Sequence, residues 1–156
     1  MARVAKTWAR VLVLALGFLV AAQAQAAKWK YCDGEWEARI MNATVVPDRP
    51  RAGQEINVLI DGEIGRLVKG GELDLTVLFH KIPVHKEKDD LCDRLESCPA
   101  NGAFTVNAKQ KLPPLTLPGN HELKITAKDT EDKDLVCMVL DLNIKGPALA
   151  LRWHKP

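Results

Sequence analysis

In the stretch from Glu72 to His80, Leu73, Leu75, Val77 and Phe79 occupy every second position. Side chains alternate between the two faces of an extended chain. This period therefore predicts a strand with one apolar face and with Asp74, Thr76 and His80 on the other. The pattern recurs. Ile56, Val58 and Ile60 alternate with Asn57, Leu59 and Asp61. Phe104, Val106, Ala108 and Leu112 share a face, as do Leu123, Ile125 and Ala127, and as do Val136, Met138, Leu140, Leu142 and Ile144. Shorter strand signals lie at residues 28–32 and 36–46, the second with Met41, Ala43 and Val45 expected inward. Proline and glycine at 47–53, 65–71, 101–102 and 113–119 punctuate these runs, and the charged segment 130–134 reads as a hairpin tip. The strand that opens at Glu72 is expected to run on through Lys81-Ile-Pro-Val-His85 into a solvated charged loop at 86–90. Strand signals at regular spacing, with no helical period among them, predict an all-β antiparallel sandwich of immunoglobulin-like type.

Residues 1–26 carry Arg3, Lys6 and Arg10, then an apolar run from Val11 to Ala22 and the small-residue site Ala24-Gln25-Ala26. That order is expected of a secretory signal peptide. The apolar run is shorter than the roughly 20 residues a spanning helix needs. One domain is expected over residues 27–145, followed by a basic tail, 146–156, expected to be disordered. Without Arg3, Lys6 and Arg10, the 22 basic residues fall to 19 against 20 acids, so the domain is near neutral. A nucleic-acid partner is not expected of such a chain.

The chain has four cysteines, and an even number in a secreted chain predicts disulfides, with three pairings open. The expected pairing is a local clip, Cys92–Cys98, and a long bridge, Cys32–Cys137, tying the first strand to the last. Catalytic chemistry is sparse. The only serine, Ser97, has no G-x-S-x-G around it, and the histidines lack metal-binding spacing. His80 and His85 read as surface-polar residues. No enzyme activity, metal or cofactor is expected. Asn42-Ala43-Thr44 is an N-glycosylation sequon, which would place Asn42 on the outer face.

Alternation alone does not distinguish a filled core from a hollow one. Tyr31-Cys32, Asp90-Leu-Cys-Asp93, Ser97-Cys-Pro99, Leu112-Pro113, Pro118-Gly119 and Leu135-Val-Cys137 follow one another in an order that resembles the ML, or lipid-recognition, family. The spacing is most similar to its phosphatidylglycerol/phosphatidylinositol transfer branch, related to the Niemann–Pick lysosomal sterol-transfer proteins. The resemblance implies a lipid cavity between the sheets and the disulfide pairing above. The cavity wall would be Ile56, Val58 and Ile60; Leu73, Leu75, Val77 and Phe79; Phe104 and Val106; Leu123 and Ile125; and Met138 and Leu140. Its mouth would lie at Pro113, Leu115 and Pro118, with the lipid head group near the Cys92–Cys98 loop and the Pro113–Gly119 segment. No cysteine stands in residues 47–53, where the sterol-transfer proteins carry a further short disulfide. The expected protein is a monomeric lipid carrier, secreted or in an endolysosomal or vacuolar lumen. It would hold one phospholipid or sterol and touch membranes transiently. The rivals are a lipid-presenting adaptor and an adhesion-type sandwich with a filled core.

Overall fold

The computed structural model describes residues 25–146. Residues 1–24 and 147–156, which hold most of the expected leader and of the expected tail, lie outside the described residues. Nine strands and one short helix follow in order: β1 (Gln25–Ala26), β2 (Trp29–Tyr31), β3 (Arg39–Val46), β4 (Glu55–Val68), β5 (Gly71–Phe79), β6 (Ile82–Asp90), α1 (Leu91–Arg94), β7 (Ala100–Lys111), β8 (Gly119–Asp129) and β9 (Asp134–Ile144). They form two antiparallel sheets, β1-β3-β4-β7 and β2-β9-β8-β5-β6. The apolar faces read from the sequence meet between them: Ile56, Leu73, Ile125, Met138 and Leu140 are all almost completely buried. Each such side chain stabilises the fold by roughly 1.5–3 kcal/mol relative to exposure.

Several local expectations are corrected. Residues 86–90 are not a loop but the second half of β6, paired to β5 from Phe79↔Ile82 to Glu72↔Asp90. This edge strand turns His85, Glu87 and Asp89 toward the sandwich, beside Val77, Leu75 and Leu73, and so lacks an apolar stripe. Met41 is 65% exposed rather than inward, because the register shifts between Ile40 and Asn42. Such a bulge reverses the alternation on one side of it. Apart from these corrections, Gln25 and Ala26, the last two residues of the expected leader, pair with Val45 and Thr44 as an edge strand. The backbone of β3 offers an unpaired ladder there, and strand pairing needs no side-chain pattern.

The β5–β6 hairpin turns on two residues, His80 and Lys81, with φ of 49° and 68°. That is the conformation of the type I′ turn that matches strand twist. Gly71 begins β5 so close to β8 that a Cβ would lie 1.9 Å from the Lys128 carbonyl oxygen. Only glycine fits there, and the tight approach fixes β5 against β8. Both expected disulfides are present, Cys32–Cys137 between β2 and β9 and Cys92–Cys98 around α1. The Ile40 N–H donates to the Tyr31 hydroxyl at 2.6 Å and so links the two sheets.

At the end of the sandwich that holds Cys92–Cys98, Arg66 bridges Glu37 at 2.7 Å and Asp129 at 2.6 Å. Backbone N–H donation from Lys133, then the Arg66 guanidinium, holds the Asp129 carboxyl below its ordinary value. Lys133 and then Arg66 do the same for Glu37. A depressed carboxylate contributes stability that is complete above its unfolded value, about pH 4 to 4.5, and is lost as pH falls through the lowered value. Arg66→Met is therefore expected to melt below wild type at neutral pH and to converge on it as pH falls below the ordinary carboxylate range of about 4. Melting curves that stay parallel below that range would show that the network carries no pH-dependent stability.

Candidate functional site

The two sheets face each other along an open side where β6 and β7 are the unpaired edges. At one end the chain crosses this seam from β6 through α1 to β7, and at the other residues 112–118 lead from β7 to β8. Inside the small disulfide ring, the Glu96 N–H donates to the Thr105 carbonyl and Leu95 bridges Val106, so the ring lies along the edge of β7. Arg94 reaches across it. Its guanidinium is 2.7 Å from Asp89 and 3.4 Å from Glu87 on β6, and 3.5 Å from the Lys109 carbonyl on β7. The seam is thus closed from the disulfide ring to about Lys109. Beyond it, Ile82 to His85 and Gln110 to Leu112 face one another without a strap.

A cavity of about 260 Å³ opens in that unstrapped half. Val77, Phe79, Val84, Leu112, Pro113, Leu115 and Leu117 form its apolar walls, and His85, Gln110, Lys111, Thr116 and His121 supply its polar groups. The rim projects into solvent, with Leu115 92% exposed, Leu117 57%, Ile82 65% and Val84 55%. Exposed aliphatic residues gathered round a cavity mark an interaction surface rather than ordinary scatter. A second void, about 40 Å³, lies at the disulfide end. All the side chains lining it are apolar, among them Ile60, Leu73, Leu91, Val106, Ile125 and Met138.

One layer of side chains separates the two spaces. Along β5, Leu73 lines the inner void and Val77 the outer cavity, with Leu75 between them. On β8 the same sequence is Ile125, Leu123 and His121, and on β7 it is Val106, Ala108 and Gln110. Leu75, Ala108 and Leu123 are the partition.

The residues expected to form a lipid wall therefore divide. Ile60, Leu73, Phe104, Val106, Ile125 and Met138 line the inner void, and Val77 and Phe79 line the outer cavity. Ile56, Val58, Leu75, Leu123 and Leu140 are packed core that lines neither. Pro113 and Leu115 border the outer cavity, and Pro118 borders a neighbouring polar groove. Asn42 is exposed on β3. The disulfide ring lies against Thr105 and Val106, midway along β7, whereas the 113–119 segment follows the end of that strand, and only the second borders the outer cavity.

The histidines were underrated. His121 is 3% exposed, with Nδ1 at 3.3 Å from the Gly119 carbonyl and its ring 4.7 Å from that of Phe79. His85 turns inward opposite Val77, and its Nε2 is buried without a hydrogen-bond partner. Leaving such a group unpaired costs roughly 1–3 kcal/mol. The missed signal was Lys86-Glu-Lys-Asp89, where charge alternates with the period of a strand.

Comparison with known proteins places these features. Residues 26–144 match the model of the ML domain family. A Dictyostelium discoideum protein named "putative phosphatidylglycerol/phosphatidylinositol transfer protein" is 26% identical over 144 residues, covering 86% of this chain and 97% of its own length. The protein numbered 1 in that series, from the same organism, is 27% identical over 124 residues, covering 77% of this chain and 82% of its own. Among solved structures, a Niemann-Pick type C2 protein from the Japanese carpenter ant superposes with a TM-score of 0.59 at 16% identity, over 76% of this chain and 99% of that one. That last likeness is one of fold.

Proposed function

The chain belongs to the ML domain family of lipid-binding and lipid-transfer proteins, and from that premise we propose that it is a non-catalytic carrier of single phospholipids. The tail enters at the unstrapped half of the β6–β7 seam. The observation that carries this reading is the apolar cavity there, ringed by exposed Leu115, Leu117, Ile82 and Val84. Those four side chains would sit in the acyl region of a bilayer while the carrier loads, and the loaded protein would leave as a monomer. The names of the Dictyostelium relatives and the lack of a cysteine at 47–53 favour a phospholipid over a sterol. The leader and the disulfides favour a secreted or lumenal compartment, where a sugar on exposed Asn42 would lie clear of the mouth.

Burying a 16-carbon tail would gain on the order of 12 kcal/mol, at about 0.8 kcal/mol per methylene. The outer cavity by itself does not hold a whole tail. Loading therefore swings Leu75 and Leu123 aside, joins the two apolar spaces and lets the sheets part locally. Such repacking is feasible because the partition is a single layer of aliphatic side chains with no polar contact to break.

Purified protein added to donor vesicles of fluorescent phosphatidylglycerol and to unlabelled acceptor vesicles tests the proposal. Transfer should rise in proportion to protein concentration, and native mass spectrometry should show one lipid per chain. Binding without shuttling would identify a presenting adaptor instead, and a protein that neither binds nor transfers would be a filled sandwich.

A further inference from the structure

We propose that His85, Gln110 and Lys111 form a head-group site for the phosphodiester of an anionic phospholipid, an inference that rests on the carrier reading above. The outer cavity is apolar except on this side. Of its polar side chains, Thr116 donates its hydroxyl to the Pro113 carbonyl at 2.6 Å, and His121 is engaged with the Gly119 carbonyl. Both are satisfied by backbone. His85 is not: its Nε2 is buried, lines the cavity and meets no hydrogen-bonding atom.

The groups around it favour an anion. Glu87 Oε2 lies 3.8 Å from His85 Nε2, but the Glu87 carboxylate already faces Arg94, whose Nη2 is 3.4 Å from its Oε1. Across the seam, Gln110 and Lys111 on β7 add an amide and a positive charge to the same wall. Glu55 pairs with Lys111 in the ladder yet does not line the cavity. An imidazole N–H, an amide N–H and an ammonium from two facing sheet edges would together surround an oxyanion, while the apolar walls receive the hydrocarbon joined to it. The ligand class is an anionic phosphate ester carrying acyl tails, and the two sheet edges would close on it from opposite sides.

Dioleoylphosphatidylglycerol and dioleoylglycerol share their tails and differ by the phosphoglycerol head, so their affinities for the full-length protein separate head from tail. Wild type is expected to prefer the phospholipid about tenfold or more, the scale of one charge-assisted hydrogen bond. His85→Leu and, independently, the exposed-site variant Lys111→Met should each reduce that preference severalfold, the larger loss falling on dioleoylphosphatidylglycerol. Both lipids binding with an unaltered ratio in both variants would overturn the head-group site alone. Wild type binding neither lipid would overturn the carrier reading and this site with it. Inorganic phosphate titrated against the same protein should not compete at millimolar concentration, and competition equal to that of the phospholipid would mean a free-anion site and overturn the proposal.

Discussion

A protein carrying Cys32→Ala and Cys137→Ala is expected to lose about 5 kcal/mol of folding stability, since its bridge closes a loop with a sequence separation of 105 and loop-closure entropy grows with length. Removing Cys92 and Cys98 should cost only about 2 kcal/mol, because that separation is 6. A single domain has about 5–15 kcal/mol in total, so the first variant approaches the threshold of folding and the second does not. The contrast has a local cause as well. β2 spans three residues and pairs only with β9, so the bridge and the Tyr31 hydroxyl add to a short ladder and the packing of Trp29 on the core. Urea denaturation of the two variants beside wild type measures both losses. A loss below about 1 kcal/mol for the long bridge would mean that the ladder alone holds the edge.

Where a strand buries one face, the chain spells it out. The alternation of Leu73, Leu75, Val77 and Phe79 marks β5, and the same holds for β4, β8 and β9, whose inner faces meet apolar neighbours. β6 escaped because its inner face meets Arg94 instead of hydrocarbon, so charge stands where apolar residues would otherwise reveal the period. Inward charges on an edge strand also discourage pairing with another molecule. Met41 escaped for another reason. Ile40 and Ala43 are both buried though three residues apart, a spacing the bulge between Ile40 and Asn42 produces, while apolar Met41 keeps an unbroken alternation with Ala43 and Val45 in the sequence and so hides it.

The cavity is a different matter. Periodicity says which residues face inward but not how far apart two sheets stand, and it carries no information on which half of a seam a distant loop covers. The place of the cavity depends on Arg94 bridging β6 and β7, a contact between neighbours in sequence that apolar periodicity does not mark. Proximity in sequence instead joined the disulfide ring to the wall it follows, although β5 and β6 form a hairpin whose far end lies at the outer cavity.

Val77→Phe is expected to abolish lipid uptake while leaving the fold intact. Val77 is buried at 8% exposure and faces the outer cavity just outside the Leu75 partition, on the path from mouth to interior. A ring there would occupy space that is already open, so it demands little repacking, and phenylalanine suits a strand as well as valine does. Stability should stay within about 1.5 kcal/mol of wild type, as for well-accommodated apolar exchanges. The tail would meet the ring before reaching the partition. Excluding even four methylenes costs about 3 kcal/mol, roughly two orders of magnitude in affinity. Ala127→Leu is the matching control, because Ala127 lines only the inner void at the opposite end. It should spare the binding of short-chain phospholipids and weaken that of long-chain ones, whose tails must cross the partition. The two variants thus read the direction of entry. Normal uptake by folded Val77→Phe, together with loss of short-chain binding in Ala127→Leu, would place the entrance at the disulfide end and refute the seam as the route in.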